Sequence, residues 1–339
     1  MDAQKARQLY ADLGAVPVIN GKGNYTMLGG SFPTPSVRAA MDLAGRYYVD
    51  MDALFTSTGR IAAELLGCEA ALITPGCAAA LVLGTAACVS GDDPKRMEQL
   101  PNTMGMKSQV VIQHAQRYRP RRYTYERVVR LAGVELVPAG TLEGCNRADL
   151  EQAITDDTAA VLYPDIADPD GWLSLEEVVE IAHARGVPVI ADTAFRVYPV
   201  ERMRSYSSSG ADLWGFGAKY FGAPNSSGIL CGRADLVAAA SAHSFAAFER
   251  RPTAGIGRPL KIDRQEVVGV ITALREWLGG YCNSRDEEAS RRGRSLRNHL
   301  QDLSGIELSP EGDRVTSLTL TVDLAKATMD AETLASELE

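Results

Sequence analysis

From about residue 70 to residue 232, apolar positions recur in two alternating rhythms. Short, nearly continuous apolar runs at 110–114, 134–138, 159–164, 187–192, 213–217 and 227–231 predict buried strands, and a further short apolar run at 70–74 breaks at Pro75-Gly76. Between them, apolar residues spaced three and four apart predict helices near 123–132, 147–154 and 175–185, and the alanine-rich run after Pro75-Gly76 reads as a further helix. Upstream, Met1 to Leu13 has the pattern of an amphipathic arm, Val16 to Ser31 is a glycine-rich entry segment, and Ser36 to Leu66 reads as helices. After Lys261 the rhythm changes to helices at Gln265 to Leu278 and Arg285 to Leu303, one strand at Ser317 to Val322 and a final helix. Strands alternating with helices predict an α/β fold. The pattern divides into an arm and entry segment (1–35), a large domain (36–255) and a small C-terminal domain (256–339).

Composition narrows the function classes. With 339 residues, 45% of them hydrophobic, the chain can bury one large core and a smaller one. A net charge of −8 argues against a nucleic-acid surface, which needs clustered cations to neutralise phosphates. One basic stretch departs from this: Arg117 to Arg130 (RYRPRRYTYERVVR) holds six arginines and three tyrosines. A solvated loop, a subunit contact and an anion-binding loop all suit it. The six cysteines (68, 77, 88, 145, 231 and 282) form no CxxC pair and no zinc spacing, so no metal is expected and they read as buried small residues in a reducing compartment. No apolar run reaches membrane-spanning length and the charged N-terminus is no signal peptide, so the expected location is the cytoplasm.

The chemistry concentrates between Val187 and Gly228. There the strand VPVIAD ends in Asp192, and Lys219 follows 219 − 192 = 27 residues later among glycines in FGAKYFGAPNSSG. A carboxylate at a strand's carboxyl end followed by a lone lysine suits pyridoxal 5′-phosphate. The lysine amine forms a Schiff base with the cofactor aldehyde, and the carboxylate keeps the pyridine nitrogen protonated. Taken alone, Asp192 equally suits a helix cap or a nucleotide site, and Lys219 is one of 35 Lys and Arg residues. A third element tips the balance. In EAALITPGCAAALVLGTAAC (Glu69 to Cys88), Gly76, Cys77 and Ala78 open a helix whose free amides and dipole attract a phosphate, and their small side chains let it approach. Asp165, Asp168 and Asp170, after the strand ending at Pro164, suit a turn or a loop at the cofactor face.

Six segments in one order resemble the selenocysteine-synthase-like group of fold-type-I pyridoxal-phosphate enzymes: INGKGNYTMLGGS (Ile19 to Ser31), TPGCAAAL (Thr74 to Leu81), LPNTMGMKSQVVIQ (Leu100 to Gln113), PVIADTA (Pro188 to Ala194), GADLWGFGAKYFGAPNSSGIL (Gly210 to Leu230) and GRPLKIDRQEVVG (Gly257 to Gly269). Within the group the chain is most similar to the ammonia-lyase branch, which includes D-glucosaminate-6-phosphate ammonia-lyase. The resemblance spans roughly residues 15 to 280. It implies a mostly parallel seven-stranded sheet with helices on both faces, a small α+β C-terminal domain, and at least a homodimer. It also implies Lys219 as the Schiff-base lysine, Asp192 on the ring nitrogen, Gly76, Cys77 and Ala78 at the phosphate, and Ala194 against the ring.

Three positions depart from the group's pattern. Gly217-Ala218 stands where relatives carry Ser-Gly, which removes a phosphate-binding hydroxyl. Gln116 replaces a histidine near the ring and cannot act as acid or base, with His114 two residues away as the substitute. Asn225 stands where glutamine is common. Thr26, Arg258 and His114 are candidates for substrate contact, and Lys261 or Arg258 for a phosphate or substrate anion, although plain surface charge suits these two cations equally. Relatives usually continue further, so the C-terminal domain is expected to be abbreviated.

The expected reaction is abstraction of a substrate α-proton by Lys219, β-elimination, and release of ammonia and an oxo acid from an amino acid or amino sugar acid. Aldol cleavage, racemisation and transamination use the same Lys219 and Asp192. Selenium transfer onto seryl-tRNA would need an N-terminal tRNA-binding domain and a basic groove. A non-catalytic paralogue is the remaining alternative, given the changes at Gly217-Ala218 and Gln116.

Overall fold

The seven apolar runs pair into one sheet in the order β1 (Ala70–Thr74), β7 (Gly228–Gly232), β6 (Leu213–Gly217), β5 (Val189–Asp192), β4 (Thr158–Pro164), β2 (Gln109–Gln113) and β3 (Glu135–Ala139). The computed structural model describes residues 3–118, 125–165, 171–250, 255–309 and 316–338. All neighbours run parallel except β7, which is antiparallel to both β1 and β6. The carboxyl ends of β1, β2, β4, β5 and β6 therefore share one edge with the amino end of β7. Every residue of β4, β6 and β7 is buried, as expected of strands covered on both faces.

The alanine-rich Cys77–Ser90 helix lies on this sheet and is buried at eleven positions. Small residues bring it close: a Cβ at Gly84 would stand 3.2 Å from the Leu213 side chain and 3.6 Å from that of Leu230. Leu81, Val82 and Leu83 are each at most 3% exposed, contributing roughly 2 kcal/mol apiece through burial. The predicted helices at 147 and 175 begin at Arg147 and Leu175, each fixed by a reciprocal capping box, Asn146 with Asp149 and Ser174 with Glu177.

Other boundaries differ from the sequence expectation for local reasons. The run near 123–132 is an α-helix only over Tyr125–Val129; it tightens into a 3-10 turn at Arg130–Ala132, which Gly133 ends at φ +84°. The helix expected at Gln265 to Leu278 spans Arg264–Glu276 and passes into a wider turn, Trp277–Tyr281, kinked at Gly280 (φ +110°). The helices Pro94–Gln99, Val200–Ser205, Ala234–Ala242 and Phe245–Arg250 and the strand β8 (Ile306–Ser309) are short or lack a clear period, and the sequence pattern did not mark them.

The chain divides into two compact units, Met1–Arg275 and Glu276–Glu339. The second carries the Cys282–Leu300 helix, the antiparallel pair of β8 with β9 (Thr319–Val322), and the Ala331–Leu338 helix. Among the described residues no helix is long and apolar enough to cross a membrane.

His243 is fully buried, with Nε2 2.9 Å from Ser90 Oγ. Burial pushes its imidazole down to about 4. Above the ordinary histidine pKa of about 6.5 the ring is neutral in both folded and unfolded chains; below it the unfolded chain gains a proton that the folded chain refuses until about pH 4. Folding stability should fall across that window, by on the order of 3 kcal/mol. Urea unfolding from pH 7 to 4 checks this, with His243→Asn expected to flatten the acid decline. Parallel pH curves for parent and variant would show that His243 does not set it.

Candidate active site

Asp192 ends β5 and projects at the carboxyl edge of the sheet. Its neighbours in register are Pro164 on β4 and Gly215 on β6. Oδ1 accepts hydrogen bonds from the Ala194 amide at 3.0 Å and the Cys77 thiol at 3.4 Å, while Oδ2 accepts one from the Tyr125 phenol at 2.7 Å. Burial pushes the carboxyl up from the usual aspartate range, and these three donors oppose it by favouring the ionised form. The single thiol proton of Cys77 is shared with the Gly215 carbonyl, 3.2 Å away, and a Cβ on Gly215 would stand 3.0 Å from the sulfur. Burial, followed by the charge of Asp192, holds the thiol far above the ordinary range, so it stays protonated as a donor.

The break after β1 is built from glycine. Gly76 sits at φ +87°, ψ 164° as the cap of the Cys77–Ser90 helix, a conformation closed to residues with a side chain. The amides of Cys77, Ala78 and Ala79 begin the helix, so no carbonyl of the helix can accept from them. Gly228 of β7 lies directly against this start, where a Cβ would stand 2.6 Å from the Gly76 carbonyl carbon and 2.8 Å from the Cys77 nitrogen. Ser226 and Ser227, just before it, spend their hydroxyls on Glu266 and on the Pro224 carbonyl.

Lys219 follows β6 in a 3-10 turn, Ala218–Phe221, and is half-buried. Its Nζ donates to Thr26 Oγ1 at 2.7 Å and stands 5.0 Å from the centroid of the Tyr220 ring. Burial lowers its pKa, favouring the neutral amine. The glycine-rich entry segment wraps this turn: Asn24 Nδ2 donates to the Lys219 carbonyl at 2.9 Å and to the Gly30 carbonyl at 2.8 Å. Tyr220 packs on Gly217 and meets Phe195 edge to face, ring centroids 6.3 Å apart.

The structure thus gathers Gly76, Cys77, Ala78, Asp192, Ala194, Lys219 and Thr26 at one sheet edge. Gln116, 1% exposed, follows β2 at the same edge, but its side-chain amide is committed to the Pro164 carbonyl (3.1 Å) and to Gln113 (3.4 Å). His114 is half-buried in the same turn and in electrostatic contact with Glu143. Arg258 is ion-paired with Glu249 at 3.1 Å and lies over the Phe248 ring, whereas Lys261 is exposed. Among the described residues neither cation bonds to Gly76, Cys77, Ala78 or Asp192. Asp165 is buried and joined to Arg196, Arg202 and Tyr206, a built network rather than a solvated turn. Asp168, Asp170 and the arginine-rich residues 119–124 lie outside the described residues. The flanks of that stretch are locked, Arg117 being ion-paired with the buried Glu126.

Tyr125 and Asn24 were not singled out as site residues by the sequence. The burial of Tyr125 is legible in the spacing of Tyr125, Val128, Val129 and Ala132, but its partner stands 67 residues away. Together the residues fit pyridoxal 5′-phosphate: a half-buried carboxylate for the ring nitrogen, an amine whose pKa burial lowers, and a glycine-opened helix start whose first amides suit a phosphate.

No family model matches the chain. It is 33% identical over 337 residues to the 5′-C-glycyluridine monooxygenase-decarboxylase of Streptomyces sp, covering 97% of this chain and 81% of that protein. It is also 33% identical over 279 residues to the D-glucosaminate-6-phosphate ammonia lyase of Salmonella typhimurium, covering 80% and 70%. The solved structure bearing that enzyme's name superimposes with a TM-score of 0.83 and 28% identity over 97% of this chain and 86% of the other. The L-seryl-tRNA(Sec) selenium transferase of Moorella thermoacetica is 27% identical over 77% of this chain and 55% of its own length. On this likeness, the chain belongs to the selenocysteine-synthase-like family of fold-type-I pyridoxal-phosphate enzymes.

Proposed function

We propose that the protein is a pyridoxal-phosphate lyase that takes the α-proton from an amino acid or amino sugar acid, expels the β-hydroxyl, and releases ammonia and an oxo acid. The observation that carries this reading is the meeting of the Asp192 carboxylate, the Lys219 amine and the open amides after Gly76 at one sheet edge. The relatives' names support the substrate class. D-glucosaminate, glycyluridine and a seryl group each contain an α-amino acyl unit with a hydroxyl on the neighbouring carbon.

Bound there, pyridoxal phosphate supplies an aldehyde for the substrate amine and a protonated ring that accepts the electron pair left on Cα. Asp192 holds the ring nitrogen, the amides of Cys77 and Ala78 with Gly76 hold the phosphate, and Ala194 lies against the ring face. Lys219 Nζ takes the Cα proton and returns one to the departing hydroxyl, with Thr26 Oγ1 orienting the amine and standing by the substrate. Gln116 supports the site from beneath, supplying no acid or base, while His114 stands at its margin. Lys261 and Arg258 are the cations assigned to the phosphate and to a substrate carboxylate, reaching them from a second subunit. Val16, Val18, Ile19, Phe32, Tyr47 and Tyr48 are exposed apolar residues within one short stretch of chain, which supports a homodimer. A cytoplasmic location accords with the free cysteines.

Oxidative decarboxylation is the second reading, favoured by a monooxygenase-decarboxylase relative that spans 97% of the chain. Assays of β-hydroxy α-amino acids and amino sugar acids separate the two: ammonia with an oxo acid marks elimination, whereas oxygen uptake with carbon dioxide marks oxidation.

Three outcomes are expected. Borohydride treatment of the protein incubated with pyridoxal 5′-phosphate should leave a pyridoxyl label on Lys219, read by peptide mapping. A label elsewhere, or none, would sink the assignment. Asp192→Asn should retain the fold and lower turnover by about a hundredfold or more, because the ring nitrogen loses its anionic partner; turnover within about threefold of the parent would remove Asp192 from the ring nitrogen. Lys261→Ala should weaken cofactor affinity about tenfold in a fluorescence titration. Unchanged affinity in both Lys261→Ala and Arg258→Ala would return these cations to surface charge.

A further inference from the structure

The Asp192 carboxylate offers about four acceptor directions, two on each oxygen. Oδ1 is filled by Cys77 Sγ and the Ala194 amide, and Oδ2 carries the Tyr125 phenol at 2.7 Å. One direction on Oδ2 is left. Tyr125 is 2% exposed and stands in the first turn of the Tyr125–Val129 helix, whose Val128 and Val129 are also buried. The next residue, Glu126, is tied to Arg117. Core packing therefore fixes where the phenol points.

We propose that Tyr125 is the positioning residue of Asp192, turning the carboxylate so that the remaining Oδ2 direction meets the cofactor's ring nitrogen. The assignment rests on the pyridoxal-phosphate reading above and adds a residue to it. The phenol acts in two ways. It fixes the rotation of the carboxylate about its last bond, against which the Oδ1 side sets only one backbone amide and a weak thiol. It also stabilises the ionised form that a cationic ring nitrogen requires.

The other titratable groups facing Asp192 leave this task to Tyr125. Cys77 is a weak, protonated donor, and Asp165, which would repel the charge, is neutralised by Arg196 and Arg202 at 3.0 and 3.1 Å. Tyr220, across the site, has its own phenol held protonated by burial and by the charge of Asp192. Lys219 turns its amine to Thr26.

The test is a fluorescence titration of the apoprotein with pyridoxal 5′-phosphate across pH, in the parent, Tyr125→Phe, Asp192→Asn and the double variant. Tyr125→Phe keeps the buried ring and removes only the donor, and thermal unfolding of the apoproteins confirms the fold. At neutral pH affinity should fall about tenfold in Tyr125→Phe, and the loss of binding on acidification should begin at higher pH, because an anion stripped of a donor takes its proton sooner. In the Asp192→Asn background the same substitution should change affinity by less than about twofold. Cys77→Ala, which empties Oδ1 instead, should move the acid limb in the same direction by less. Equal losses in both backgrounds, or an unmoved acid limb in Tyr125→Phe, would overturn the positioning role while leaving the cofactor in place. A parent protein that fails to bind pyridoxal 5′-phosphate overturns the functional reading, and this assignment with it.

Discussion

A carboxylate at the end of a strand covered on both faces keeps its charge only where hydrogen-bond donors replace the water it has lost. Asp192 is in that position, and its surroundings read as the answer to it. The Ala194 amide turns back onto Oδ1 two residues after β5 ends, the Cys77 thiol reaches across from the helix after β1, and the Tyr125 phenol closes on Oδ2 from a third element. The second carboxylate nearby, Asp165, is neutralised separately by two arginines. Burial still raises the Asp192 pKa, and the three uncharged donors oppose that rise by favouring the ionised form.

The same crowding explains the glycines. Three strand ends and a helix start meet within contact distance, and Gly76, Gly215 and Gly228 lie where a Cβ would strike a neighbour or where the backbone turns left-handed. The first helix amides, those of Cys77, Ala78 and Ala79, find no carbonyl to bond within the helix. The entry segment then completes the wall, with Asn24 fastened to the Lys219 carbonyl and Thr26 to its amine. Lys219 is consequently held at both its backbone and its tip.

Within such a frame the choice of reaction is left to what surrounds the substrate. A lyase and a monooxygenase-decarboxylase both stand near this chain at 33% identity, and the lysine and carboxylate that the chemistry needs serve either reaction. The difference lies in which bond at Cα is set perpendicular to the ring and in whether oxygen reaches it. Phe195 and Tyr220 meet edge to face beside Lys219, and the hydroxyl that Gly217-Ala218 lacks is not replaced by Ser226 or Ser227, whose own hydroxyls are already spent.

Periodicity was sufficient to read six of the seven strands to within two residues and the helix starts at Arg147 and Leu175, because each depends on neighbours only a few residues away; Asp192, Lys219 and Gly76, singled out along the chain, are brought to one edge by the sheet order. Segment order carried the family. What the sequence could not carry was pairing across distance. That Cys77 turns its sulfur to Asp192 while its amide opens the helix start, that Gln116 is locked to Pro164, that Arg258 belongs to Glu249, and that Tyr125 from an arginine-rich stretch holds the central carboxylate all follow from which elements the sheet order makes adjacent. Hydrogen bonds act over about 3 Å in space, and only the folded chain sets which residues come within that reach.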